Sequence, residues 1–225
     1  MRAEVVRNMW RAAAVLSGFA VLGALLVAVT WESTAERIAA NERAYLLRTL
    51  AEVLPEGEYD NDVHEDAITV RDGTLLGTDD PVTVYRARDD GVPVAAVLTP
   101  TAPAGYSGPI RLLVGIRADG RLSGVRVVAH RETPGLGDKV EVERSDWILG
   151  FAGRSLRNPL PEDWAVQRDG GVFDQFTGAT ITPRAVVSAV RDALIYFRQH
   201  RDALFAAPAG ADGLPAPSEG VEEQP

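Results

Sequence analysis

No cysteine occurs in the 225 residues, and only three histidines do. The first absence excludes disulfides, cysteine-ligated iron–sulfur clusters, thiolate zinc sites, c-type haem attachment and a lipoprotein anchor. His64, His130 and His200 are scattered, without metal-type pairing, so the expected metal content is none. No Gly-x-Gly-x-x-Gly opens a helix after a strand and no P-loop is present, which argues against a parallel Rossmann sheet. Basic surface is scarce beyond the N-terminus. Net charge is −9; three arginines less one glutamate put the first eleven residues at +2, which leaves −11 for the remainder. An acidic domain of this kind is not a nucleic-acid binder, because phosphate contacts need a basic surface. Any redox chemistry then has to come from a bound organic cofactor or from metal ligands of other kinds.

The N-terminal region is strongly apolar. From Ala12 to Val29 roughly 18 residues run without a charge, close to the length that crosses a hydrocarbon core of about 30 Å. Trp10 and Trp31 bracket the run where aromatic belts sit. Arg2, Arg7 and Arg11 precede it against one Glu4, while Glu32 and Glu36 follow. The positive-inside rule places the N-terminus in the cytoplasm and the chain after Trp31 outside. A cleaved signal peptide is the rival reading, but the run is long and no clean small-x-small cleavage site follows. The expected organisation is a cytoplasmic N-terminus (1–11), a transmembrane helix (12–30), an external domain (31–205) and a disordered tail (206–225) rich in Pro, Ala, Gly and Glu.

Within the external domain, Thr34 to Leu54 reads as helix, either continuing the membrane helix or breaking from it near Glu32-Ser-Thr. Short strand-like runs follow at Ala67–Arg71, Pro81–Ala87 and Val92–Leu98, with Asp-Gly at 72–73 and 90–91 as hairpin signals. Ile110–Ile116 and Leu122–Ala129 form the clearest hairpin, joined by Arg117-Ala-Asp-Gly120. Ser145 to Phe151 reads as a short helical segment and Val166 to Phe173 as one more hairpin. Tight turns between strands, with helices at both ends, predict an α+β domain of antiparallel sheet with flanking helices.

Two segments carry chemistry. In Asp174-Gln-Phe-Thr-Gly-Ala-Thr-Ile-Thr-Pro183, Thr182 is placed to cap a helix and Pro183 to begin it. Val186, Val190, Ala193, Leu194, Phe197 and Leu204 then recur at helical spacing. A hydroxyl in the turn before a helix N-terminus sits where a phosphate is electrostatically welcome, and Gly178 and Ala179 leave the backbone bare around Thr180. The second segment, His130-Arg-Glu-Thr-Pro-Gly-Leu-Gly137, is an irregular loop leaving a strand, and such backbone lets a flat ligand approach closely. Taken singly, the first is also an ordinary Thr-rich capping turn and the second a plain Pro/Gly turn.

Together, in this order and behind an apolar anchor, the segments resemble the FMN-binding domain of two related respiratory complexes. It is shared by the G subunit of Rnf-type ferredoxin:NAD oxidoreductases and the C subunit of the sodium-translocating NADH:quinone reductase. The resemblance covers most of the chain and is specific in the two motifs. Thr177 stands where a serine is often found, which keeps a hydroxyl. Leu54-Pro to Tyr59-Asp-Asn61 and Tyr106-Ser-Gly-Pro-Ile-Arg-Leu-Leu-Val-Gly115 look more like the Rnf protein. The resemblance implies covalent FMN, joined by a phosphoester to Thr180, with Asp174, Thr177, Gly178 and Ala179 shaping the acceptor turn. Asp174 is assigned to reading by a flavin transferase. Glu132, Thr133, Gly135, Leu136 and Gly137 are assigned to the ring site. Trp147, Phe176 and Tyr106 lie near the motifs and are assigned to packing.

The implied role is an electron relay in the bacterial inner membrane, its main domain periplasmic, among other integral membrane and redox subunits. It would not be catalytic alone. The equivalent component of the quinone reductase is the alternative, and an anchored sensor or interaction module without flavin is the alternative of another class.

Overall fold

The computed structural model describes residues 2–55 and 57–214. It divides into two compact units, Met1–Leu47 and Arg48–Pro225. The first unit is helical. Helix α1 covers Arg2–Ala51, so the helical reading of 34 onward holds without the break that Glu32-Ser-Thr offered. The reason is local: the Thr30, Ser33 and Thr34 hydroxyls bond back to the carbonyls of Leu26 and Thr30 instead of capping a new helix. Within α1, Arg7–Ala35 is the one helical stretch among the described residues long and apolar enough to cross a membrane. Phe19, Leu22, Leu25 and Leu26 are all exposed there, and none of the described residues buries them.

The second unit is built on an antiparallel sheet. Its strands are β1 (Ala67–Asp72), β2 (Thr78–Asp89), β3 (Val92–Leu98), β4 (Thr101–Ala102), β5 (Ile110–Arg117) and β6 (Leu122–Ala129). The order runs β1-β2-β3-β5, with the short β4 pairing the start of β5 and β6 pairing β5 along its length. Asp90 and Gly91 both have positive φ, the geometry of a two-residue type I′ turn between β2 and β3. The other Asp-Gly signal closes differently. The Asp72 carboxylate accepts from the backbone of Thr74 and Leu75, and the chain takes five residues to return as β2.

Helix α2 (Ile181–Ala206) lays Val186, Val190, Ala193, Leu194, Phe197 and Leu204 into the core against Ile110, Leu112 and Val114. The chain after α1 crosses the sheet where Gly115 and Gly124 pair, and a side chain at Gly115 would meet the Val53 carbonyl at 2.1 Å. The Ser123 hydroxyl donates to that same carbonyl. These contacts place helical segments at both ends of an α+β domain, as the turn-linked strands predict.

Two expectations fail. Val166–Phe173 is not a hairpin: Gln167–Asp169 is a 3-10 turn, and only Val166 and Phe173 bridge. The Phe173 ring lies 4.7 Å from Phe151 and 5.0 Å from Trp164, so aromatic packing sets this segment rather than strand pairing. The expected disordered tail begins too early. Residues 207–213 run beside β1, with Thr69 N–H bonding to Ala211 O, Gly213 N–H to Thr69 O, and Arg71 paired to Asp212. They satisfy a sheet edge that would otherwise be open. Residues 215–225 lie outside the described residues.

Candidate functional site

The loop after β6 and the start of α2 are joined through Glu132. Gly135, at φ 78°, turns the loop so that the Thr133 carbonyl accepts from the backbone of both Leu136 and Gly137. This folds Glu132 inward, where it is 4% exposed. One carboxylate oxygen accepts from Ser107 N–H at 2.9 Å and the other from the Thr182 hydroxyl. Thr182 therefore does not cap α2, as its sequence position predicts. Thr180 is the residue at the cap, with helical φ −72° and ψ −26°, and Pro183 falls third in the helix instead of first. A proline there is still within the first turn, where its missing N–H is not needed.

The acceptor turn is narrow. Ala179 N–H bonds to Phe176 O at 3.1 Å across Gly178, whose φ of 83° suits glycine. Phe176 is buried and packs edge-on to Trp147 at 5.1 Å, which anchors the turn from behind. Thr180 is half-buried and makes no capping bond, so its hydroxyl is not spent on the helix.

These pieces enclose a cleft of about 710 Å³, within the size range of small-molecule sites. Of the ten residues singled out from the sequence, Glu132, Thr133, Leu136, Gly137, Gly178, Ala179 and Thr180 line it. Gly135, Thr177 and Asp174 do not. Gly135 shapes the loop from outside, and Thr177 is exposed on the turn. Asp174 faces a neighbouring cleft with Trp147 and Arg154; its carboxylate accepts from Gln167 at 2.7 Å and its carbonyl from the Trp147 indole at 2.9 Å.

The cleft also contains residues that sequence reasoning missed. Tyr106, assigned to packing, is 69% exposed and lines it. Ile181, Thr182, Arg168 and Arg184 line it too. Arg184 follows Thr180 by one helical turn, a spacing legible in the sequence; Arg168 offers no sequence signal. Arg184 grips Asp169 with two bonds of 2.6 and 2.8 Å. That hydrogen bond holds the Asp169 carboxyl below its ordinary range and pushes the guanidinium of Arg184 up.

The cleft brings charges of both signs together. At the start of α2 it has a helix N-terminus and the guanidinium groups of Arg168 and Arg184, the latter paired with Asp169, an environment suited to a phosphate. The buried Glu132 carboxylate, held by neutral donors, meets the same first turn through Thr182.

Comparison with known proteins agrees with this geometry. Residues 105–195 match the family described as FMN-binding domain, and residues 1–53 match the RnfG N-terminal region. Curated proteins named as the G subunit of the ion-translocating oxidoreductase complex are similar over nearly their whole lengths. The Pseudomonas aeruginosa protein is 50% identical over 92% of this chain and 96% of its own. The Pseudoalteromonas atlantica protein is 49% identical over 86% and 90%. The Vibrio cholerae protein is 46% identical over 88% and 95%. The chain belongs to this family, the G subunits of ion-translocating oxidoreductase complexes. Of the two families that the motifs resemble, this is the one supported.

The residues present fit FMN. At Gly178 an added side chain would meet Leu136 at an ordinary 3.7 Å, so the φ of 83° rather than lack of room is what favours glycine there, and the turn lies against the apolar Leu136. At Gly137 it would meet Glu132 and Thr182 at 2.9 Å, inside the wall. In this member of the family, a helix N-terminus with two arginines, the apolar Leu136 side chain and the Glu132–Thr182 pair converge on one cleft.

Proposed function

We propose that this chain is a membrane-anchored electron-relay protein that carries FMN through a phosphoester on Thr180. The observation that carries the reading is the position of that hydroxyl, uncapped at the N-terminus of α2 inside the cleft. Helix dipole and guanidinium groups there favour a phosphate. FMN, when bound, supplies the capacity to take up and release electrons. The chain's own residues do the rest. Leu136 gives the ring an apolar face, Glu132 and Thr133 give it polar contacts, and Arg168 and Arg184 offset phosphate charge. A covalent link removes loss by dissociation, which matters for a domain outside the cytoplasm with no flavin pool to refill it.

The anchor is residues 12–30, within the apolar helical stretch Arg7–Ala35, with the N-terminus cytoplasmic and the main domain periplasmic, following Arg2, Arg7 and Arg11 before it and Glu32 and Glu36 after it. The complex is one that couples electron flow between ferredoxin and NAD to ion translocation. Its partners are the other integral membrane and redox subunits. A flavin transferase attaches the cofactor and reads Asp174; what supports this is that Asp174 is exposed beside the turn and outside the cleft.

Fluorescence of the denatured chain in a gel tests the attachment. Wild type made with the transferase should emit and Thr180→Val should be dark. A dark wild-type band would leave an anchored module without flavin as the better account.

A further inference from the structure

His130 stands just outside the cleft, with its side chain 10% exposed, and its two ring nitrogens have different partners. Nδ1 lies 3.0 Å from the Glu132 backbone nitrogen, whose N–H points at it. Nε2 lies 2.7 Å from a carboxylate oxygen of Glu141. A nitrogen that accepts an N–H cannot carry a proton, so the proton sits on Nε2 and is donated to Glu141. The ring is neutral and its tautomer is fixed. Arg144 flanks the outer end, 3.6 Å from Glu141 and 3.7 Å from Asp138, and keeps the Glu141 carboxylate in place.

We propose that His130 is the positioning residue of the cleft: through its Nδ1 it fixes the backbone of Glu132, and so sets the buried carboxylate that forms the polar wall. The chain of contacts is continuous. Glu141 orients His130, His130 holds the Glu132 N–H, and the Glu132 carboxylate ties Ser107 to Thr182. Glu132 directly precedes the Thr133-Pro134-Gly135 turn, whose Thr133 carbonyl is already taken by Leu136 and Gly137, and His130 is the acceptor for the Glu132 N–H. Without an acceptor for its N–H, the peptide would turn to find one, and the carboxylate would leave its place between Ser107 and Thr182. Because that carboxylate is a buried charge in the cleft wall, its displacement changes the field on whatever occupies the cleft.

The inference rests on the flavin reading of the cleft, and two substitutions separate the two ring functions. Asparagine at 130 keeps an acceptor that reaches the N–H two residues on, as in an Asx turn, and gives up the bond to Glu141. Glutamine places its amide further out, towards Glu141, and gives up the short-range acceptor.

Full-length chain, matured with the transferase, is compared as wild type, His130→Asn and His130→Gln by gel fluorescence and by redox titration. All three should fluoresce after denaturation, because Thr180 is untouched. His130→Asn should titrate like wild type. His130→Gln should show a threefold to tenfold change in the reduced-to-oxidised ratio at a fixed potential, the upper end being about 59 mV for one electron. An unchanged titration in His130→Gln, or a shift as large in His130→Asn, would overturn the proposal.

The tautomer is read separately, in wild type, from ¹⁵N spectra of labelled histidine, simplified by there being only three. Unprotonated Nδ1 with protonated Nε2 at His130 is the expected result. A proton on Nδ1 would sink the proposal even if the flavin were present. A dark wild-type band would instead refute the flavin reading while leaving the tautomer measurement to stand or fall alone.

Discussion

Thr182 donates its hydroxyl proton to a carboxylate oxygen of Glu132, across fifty residues of chain, and so ties the first turn of α2 to the loop that leaves β6. The other oxygen of Glu132 takes the Ser107 N–H, so three segments remote in sequence share one buried carboxylate. Glu132→Gln keeps the shape and removes the charge. One of the two donors loses a full-strength acceptor, which should cost about 1–3 kcal/mol in denaturant unfolding. Removing a negative charge from the cleft wall should also raise the potential of the bound flavin. An unchanged potential would remove Glu132 as an electrostatic contributor.

Gly137 sits against that same pair. An added side chain would meet the Glu132 Cβ, Glu132 Oε2 and Thr182 Oγ1, each at 2.9 Å. None of these can retreat without breaking the tie. Gly137→Ala should therefore destabilise the domain by about 1–3 kcal/mol. A melting temperature equal to wild type would show that the junction yields more easily than its packing implies.

The far end of α2 is held by a buried cation. Arg86 is 1% exposed; its guanidinium donates to the carbonyls of Leu204, at 2.9 Å, and Ala207, at 2.5 Å, and pairs with Asp66. These are carbonyls that a helix C-terminus leaves without partners. Arg86→Met should cost about 3 kcal/mol, the low end for breaking a buried pair, because Arg88 still holds Asp66 at 2.8 Å. Chemical denaturation measures this directly, and a loss below about 1 kcal/mol would contradict the capping role.

How far these features are legible in the sequence depends on how local their causes are. The Asp90-Gly91 turn and the β5–β6 hairpin are readable because a few adjacent residues decide them. The apolar spacing of α2 is readable for the same reason. Thr182 reads as a cap because its true partner, Glu132, lies in another segment; a hydroxyl beside a helix start looks the same in sequence whether it caps or braces. Val166–Phe173 reads as a hairpin because Gly170 and Gly171 look like turn residues between apolar ones. There the rings of Phe151 and Trp164 decide the outcome. Residues 207–213 have the composition of a tail, and only the open edge of β1 gives them a place. Within the site, the motif residues are visible as motifs, while Arg168 and Tyr106 enter the cleft solely through the fold.

The Asp169–Arg184 pair beside the cleft gives a pH signature. Arg184 lowers the Asp169 pKa below the ordinary 3.8. A carboxyl lowered on folding contributes stability that is complete above its unfolded value and is lost as pH falls through the folded one. The contribution should therefore fade below about pH 4, and Asp169→Asn should flatten that part of the stability curve. A wild-type curve that matches the variant across this acid range would show that the pair contributes nothing measurable.

Whether a hydroxyl of this turn carries the flavin, and which one, is the central question. Trypsin cuts after Arg168 and Arg184, so Thr177, Thr180 and Thr182 fall in one peptide, Asp169 to Arg184. Fragmentation of that peptide by mass spectrometry, from chain matured with the transferase, places the FMN adduct on one residue. The expected residue is Thr180, whose hydroxyl is uncapped in the cleft, while Thr182 is engaged with Glu132 and Thr177 lies outside. An unmodified peptide, or the adduct on Thr177 or Thr182, would contradict it.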